Sequence, residues 1–280
     1  MHGSQNNNKS NTPAVIVHAD DFGETREITL GICAAIEAGA VTSSSIMANM
    51  PATEFGIARA RALCDRATFG VHINLCEGRP LTRAASLLDA AGNFCGKRQL
   101  FLRSISGGLR PSEVEAEVDA QVARLAGGGV RLSHLDGHKH LHQLPVVCGA
   151  VARVARRHGI ERVRLAAMRA PAAYRAPSSA VRELLSFHAE HVFRASGLRF
   201  PKRLVDLQFC MAKALRPEAW VSLVRGPGVL EVFCHPGTPL ADEEKPGSCQ
   251  RSAELEFLMS ARLRELLAAA GARTVDYWSV

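Results

Sequence analysis

No CxxC pair occurs among the eight cysteines, and Cys33, Cys210 and Cys234 sit inside apolar runs where a thiol packs as a small hydrophobe. That spacing excludes a zinc-thiolate site and argues against a disulfide framework, so the thiols are expected to be reduced, as in a cytoplasm. Blocks of consecutive Lys or Arg are also missing, although the net charge is +7, and only two Trp and two Tyr are present to stack bases. The arginines alternate with Ala and Glu on helix-like stretches, which is a solvated surface rather than a nucleic-acid footprint. No run approaches the ~18 apolar residues that would span a bilayer. The opening MHGSQNNNKSNTP is polar and has no apolar core for a signal peptide. A disordered tail over residues 1–12 and a single cytoplasmic domain over residues 13–280 are expected.

Within that domain short apolar runs alternate with longer amphipathic ones. Strand patterns fall at Ala14–Ala19, Ser43–Ala48, Phe69–Leu75, Leu132–Asp136, Arg162–Leu165, Val205–Phe209, Val229–Cys234 and Arg273–Tyr277. Helical patterns fall at Glu27–Ala38, Ala52–Leu63, Glu113–Leu125, Pro145–Arg157, Ser179–Arg194, Pro217–Val224 and Ala253–Ala270. About eight βα units predict an α/β fold with parallel strands, a single (β/α) barrel first and a doubly wound sheet second. Thr82–Pro111 and Arg169–Lys202 look like insertions that wall a cleft. In the second, Val181, Leu184, Leu185, His188 and Val192 form one stripe, which predicts a helix packed on the barrel. A sharper alternative uses that helix, with Lys202 and Arg203, for peripheral contact with an anionic membrane.

Four polar clusters end apolar runs. His18-Ala19-Asp20-Asp21-Phe22-Gly23 follows the run AVIV, at the strand end where catalytic groups gather in a barrel. Two adjacent carboxylates there can divide metal binding and proton handling, or can simply cap the next helix. In Gly70-Val71-His72-Ile73-Asn74 the alternation sends His72 and Asn74 to one face. Four of the eleven histidines crowd into His134-Leu135-Asp136-Gly137-His138-Lys139-His140-Leu141-His142. If the chain stays extended after Gly137, then His138, His140 and His142 point one way. Finally Pro236-Gly237 forces a turn that fixes His235 at a strand tip. Each cluster alone also suits a capping Asp, a core histidine or a surface loop. Converging on one barrel face, an Asp and two His with open positions describe a hydrolytic metal site.

The stretches VIVHADDFG, AIEAGAVTSSSIM, GVHINLCEGRPL, SHLDGHKHLHQLP and VFCHPG make the chain resemble the YdjC-like carbohydrate deacetylases, from about residue 14 to 237. The resemblance implies a distorted (β/α) barrel and hydrolysis of an N-acyl, chiefly acetyl, group on an amino sugar or glycan. It implies a metal triad of Asp21, His72 and His138, Asp20 as the base and His235 as the acid. Phe22, Asn74, Arg79, His140, His142 and Arg164 are the candidates for contacting substrate. The ion is one divalent metal, Mg²⁺ or Zn²⁺, with Mn²⁺, Co²⁺ and Fe²⁺ as further options, and two imidazoles favour a borderline metal over Mg²⁺. The rivals are another metal hydrolase, such as a phosphoesterase, and a glycan-binding barrel without chemistry. Expected partners are the glycan and a second copy in a homodimer, the commonest arrangement for soluble oligomers.

Overall fold

The computed structural model describes residues 12–167, 179–212, 216–238 and 248–280. The expected tail thus lies outside the described residues except for its last position.

Among the described residues, seven parallel strands make one sheet: β1 (Ala14–Phe22), β2 (Ser43–Ile46), β3 (Thr68–Ile73), β4 (Leu132–Gly137), β5 (Arg203–Asp206), β6 (Leu230–Cys234) and β7 (Arg273–Thr274). Their order is β4-β3-β2-β1-β6-β5, with β7 beside the start of β1. The crossovers and insertions carry α1 (Arg26–Glu37), α2 (Thr53–Ala62), α3 (Gly96–Ile105), α4 (Pro111–Gly127), α5 (Pro145–Arg157), α6 (Ser179–Ala195), α7 (Leu207–Met211), α8 (Pro217–Val224), α9 (Ser248–Met259) and α10 (Arg262–Ala269). Local chemistry sets their starts. The Thr25 hydroxyl accepts from the Ile28 amide ahead of α1, and α4, α5 and α8 each open on a proline whose missing N–H costs nothing there. No described helix is long and apolar enough to cross a membrane.

The sheet is rolled. Asp136 on β4 and Glu231 on β6 both lie within 2.9 Å of the Arg164 guanidinium. Laid flat, those strands would stand about 19 Å apart, four spacings of ~4.8 Å. Beyond β4 the ladder continues through the Leu135–Val163 bridge, and Arg162 then pairs with Arg199, just ahead of β5. The strand expected at Arg162–Leu165 is therefore reduced to isolated bridges that help close a distorted barrel. The predicted Val205–Phe209 strand becomes the end of β5 plus α7, because Asp206 caps the Gln208 amide and starts a helix. The expected helix Ala253–Ala270 breaks between α9 and α10, where the Ser260 hydroxyl accepts from the Arg262 amide.

Alternation along the strands decides what lies inside. Val15, Val17 and Ala19, with Val71, Leu135 and Val232, face the helices and are buried in the main core. Burying each of these valine and leucine side chains stabilises the fold by roughly 1.5–3 kcal/mol. The opposite parity fills the barrel with polar groups instead of the usual branched aliphatics. His18 binds the hydroxyls of Ser43 and Ser45 at 3.0 and 3.1 Å, and the His134 ring stacks on Tyr277 at 3.6 Å. Gly70 makes room for that ring: a Cβ there would sit 2.5 Å from it. Gly70→Ala is expected to cost about 1–3 kcal/mol, because a ring already stacked on Tyr277 cannot easily retreat. Denaturant unfolding measures this, and an unchanged midpoint would show that the ring is free to move.

On α6 the stripe differs from the expected one. The buried positions are Ser186, Ala189 and Phe193, with Leu185 and Val192 half-buried. Leu184 and Phe187 are 69% and 73% exposed, and His188 is exposed too; the Val181 side chain lies outside the described set. The packing face is thus rotated from the one the sequence suggests.

Candidate active site

Two neighbouring residues on a strand should face opposite ways, yet Asp20 and Asp21 both reach the C-terminal mouth of the barrel. The cause is the backbone at Asp21, which has φ 68°, a left-handed conformation that Asp tolerates better than most residues. The register of β1 against β2 slips at this point, between Ala19 and Phe22. The two carboxylates therefore enter one pocket of about 270 Å³ from different directions.

Asp21 Oδ1 faces two imidazoles, with His138 Nδ1 at 3.0 Å and His72 Nε2 at 3.2 Å. Its Oδ2 accepts from Arg251 Nη2 at 2.6 Å. Burial alone would raise the Asp21 carboxyl, but the hydrogen bonds from His138 and His72 outweigh it and hold the group well below the usual range. Behind His72, its Nδ1 meets Asp136 Oδ1 at 2.9 Å, and Ser45 braces the pair. Burial opposes charge on His72, yet Asp136 and Asp20 raise its pKa well above the ordinary value. The negative potential that favours a proton there equally favours a metal cation.

Asp20 is held differently. Arg164, fully buried, grips it with two parallel bonds, Nη1 to Oδ2 at 2.9 Å and Nη2 to Oδ1 at 2.8 Å. Burial pushes Asp20 up, Arg164 pulls it down, and the balance leaves it at about 2. Across the mouth, His235 Nε2 lies 3.9 Å from Asp20 Oδ2, and its backbone amide is fixed by Glu254 Oε2 at 2.5 Å.

The structure brings five expected residues together around this pocket: Asp20, Asp21, His72, His138 and His235. His140 joins them, but by another route than expected. Residues His138–Gln143 form a 3₁₀ turn with Lys139 and His140 at φ 54° and 58°, so the chain does not stay extended after Gly137. His138, His140 and His142 accordingly do not share a face. His142 turns away, bonding the Arg164 carbonyl from Nε2 at 3.0 Å and stacking near Phe193. Burial holds His140 well below its ordinary pKa and His142 at about 4, so both rings are neutral.

Other candidates for substrate contact sit elsewhere. Phe22 is buried against Phe69 in the core. Asn74 braces the loop after β3, donating to the Glu77 carbonyl at 2.8 Å. Arg79 is exposed and away from the pocket lining, and Arg164 lies beneath the pocket as the anchor of Asp20. The lining gains Lys139, Phe233, Gln250 and Arg251. Lys139 and Phe233 lay inside motifs already visible; Gln250 and Arg251 come from α9, where nothing in the local pattern marked them.

The donor set suits a divalent ion. One oxygen of Asp21 and one nitrogen each of His72 and His138 lie within 4.8 Å of one another, all on buried residues. Mixed carboxylate and imidazole ligation fits Zn²⁺, Mn²⁺, Co²⁺ or Fe²⁺ better than Mg²⁺, which prefers oxygen.

Known proteins resemble this chain along most of its length. A carbohydrate deacetylase of Vibrio cholerae serotype O1 is 31% identical over 267 residues, 94% of both chains. That of Geobacillus stearothermophilus is 31% identical over 271 residues, covering 94% of this chain and 96% of its own. Mouse has a carbohydrate deacetylase 32% identical over 92% of this chain. Among solved structures, one from Enterococcus faecalis V583, named for cellobiose-phosphate cleavage, superposes with a TM-score of 0.75 over 96% of this chain and 98% of its own, at 23% identity. The family model of YdjC-like proteins matches residues 14–269, and the chain belongs to that family.

Proposed function

We propose that this protein is a metal-dependent hydrolase that removes the N-acetyl group of an amino sugar or glycan. The observation that carries the reading is the split of the Asp20–Asp21 pair. One carboxylate faces two imidazoles and the other faces His235, across a single pocket. The relatives named carbohydrate deacetylases support the substrate class.

Asp21, His72 and His138 would hold a divalent ion, which would supply Lewis acidity toward the amide carbonyl and toward a water. Asp20, ionised throughout the neutral range, takes the proton of the attacking water. Arg164 keeps the Asp20 oxygens at the mouth and prevents the side chain from swinging onto the ion. His235, protonated, delivers a proton to the departing nitrogen, since an amide anion is too poor a leaving group to depart. The products are acetate and a free amino sugar. A pocket of about 270 Å³ is near the lower end for small-molecule sites, which suits one sugar ring with its acyl group.

The phosphoesterase alternative is weaker on one observation. The two long cations of the lining are already engaged, Lys139 with Glu77 and Arg251 with Asp21 and Glu24. Each charge is thus already balanced by a carboxylate, which weakens its hold on a phosphate, even though Arg251 Nη1 has no hydrogen-bond partner among the described residues. The test is acetate release from a panel of N-acetylated sugars, with and without chelation. His72→Ala and His138→Ala should each lose tightly bound metal while remaining folded. A full metal complement in both variants would overturn the ion site, and absence of acetate release from every substrate would overturn the activity.

A further inference from the structure

We propose that Glu77 is a positioning residue of the ion site, holding His138 with its proton on Nε2 and its Nδ1 turned toward Asp21. The inference rests on the ion-site reading above. Its geometry is a repetition. His72 lies between Asp21 Oδ1, 3.2 Å from Nε2, and Asp136 Oδ1, 2.9 Å from Nδ1. His138 lies between the same Asp21 oxygen, 3.0 Å from Nδ1, and Glu77 Oε1, 3.3 Å from Nε2. Each imidazole thus shares Asp21 and has a second carboxylate of its own. Glu77 is to His138 what Asp136 is to His72.

The chemistry requires such a partner. A neutral imidazole has one lone pair, so the ring that gives Nδ1 to an ion must keep its proton on Nε2. His138 Nε2 is buried and makes no aligned hydrogen bond among the described residues. A buried N–H without an acceptor is destabilising, and the Glu77 oxygen beside it is placed to accept after a small rotation of the ring. Carboxylates behind metal-bound histidines set tautomer and orientation in this way.

Glu77 is itself held in place. Asn74 Oδ1 accepts from the amides of Cys76 and Glu77, both at 3.1 Å, and the side chains of Asn74 and Asn49 donate to the Glu77 carbonyl at 2.8 and 3.2 Å. From the other side, the Lys139 ammonium closes on the same Oε1. Lys139 and His140 hold left-handed backbone, a conformation that persists only where its surroundings enforce it. Glu77 therefore ties the loop after β3 to the turn that presents His138.

The experiment is competition of the metal-free protein with a chromophoric zinc chelator. Glu77→Ala is expected to bind zinc about 10–100-fold more weakly than wild type. Glu77→Gln, which retains an acceptor oxygen without the charge, should fall between the two. Nitrogen-resolved histidine NMR of the zinc-loaded wild type should show His138 protonated on Nε2, a readout that holds even if an alanine variant fails to fold. Wild-type zinc affinity in Glu77→Ala, or His138 protonated on Nδ1, would overturn the proposal. His72→Ala separates the two readings: if it keeps zinc, the ion site itself is wrong, whereas its loss alongside an unaffected Glu77→Ala removes only the role of Glu77.

Discussion

Arg164→Met is expected to destabilise the protein by about 3–5 kcal/mol at neutral pH, with much of that deficit disappearing as the pH falls. Arg164 is fully buried and within 2.9 Å of oxygens from Asp20, Asp136 and Glu231. Methionine fills similar space but leaves those carboxylates without their countercharge, which is the expensive way to break a buried ion cluster. The pH dependence follows from the shifts. In the wild type the folded Asp20 titrates at about 2 against 3.8, and Asp136 is also held well below 3.8. Their contribution is therefore complete above the unfolded value and is lost only as the pH falls through the folded one. Without Arg164 burial dominates and pushes the same groups up, so the variant recovers stability as the pH falls through those raised values. The gap between the two proteins should narrow on mild acidification, before the wild type itself weakens. Urea unfolding of both at neutral and mildly acidic pH measures it. A gap that is constant with pH would show that lost packing, not stranded charge, sets the cost.

The same cluster shows where sequence reasoning succeeds and where it stops. Strand tips ending in His or Asp are legible because an apolar run broken by a polar residue and a Gly or Pro is a local signal, and four such signals mark Asp20, His72, His138 and His235. The period of two also places His134 and Asp136 inside, though it does not say that Asp136 backs His72. Backbone exceptions are not legible. Asp21 shares the pocket with Asp20 only because its φ is 68°, and the turn at 138–143 scatters three histidines that an extended chain would align. Tertiary contacts are hidden too. Arg164 comes from a segment that pairs only through isolated bridges, and Arg251 comes from a helix far along the chain, so no spacing rule connects either one to Asp20 or Asp21. Phe22 misled for a related reason: it follows the two pocket carboxylates but, beyond the slip in register, belongs to the core.

A barrel interior filled with hydrogen-bonded polar groups gives the site a stiff foundation. Tyr277 donates to Glu231 Oε2 at 2.8 Å, Glu231 holds Arg164, and Arg164 holds Asp20. Networks of this kind are costly when broken but fix geometry when complete. Asp20, the proposed base, therefore inherits its position from residues outside the pocket lining.

That inheritance makes Asp20→Asn the most informative change in the pocket. The amide keeps one oxygen that can accept from Arg164, so position should be largely retained, while the proton acceptor is gone. Turnover is expected to fall by about 10²-fold or more, the usual loss for a general base. Metal content should stay at the wild-type level, because Asp20 faces Arg164 and His235 whereas Asp21 faces the two imidazoles. Asp21→Asn should do the reverse at the first step, losing metal and activity together. Metal analysis of both purified variants, beside acetate-release rates at saturating substrate, separates the roles. If Asp20→Asn came out metal-free and Asp21→Asn metal-replete, the two carboxylates would have to exchange roles. If Asp20→Asn kept both metal and turnover, the proton would have to leave through His235 alone, and the 3.9 Å between His235 and Asp20 would then reflect proximity without transfer.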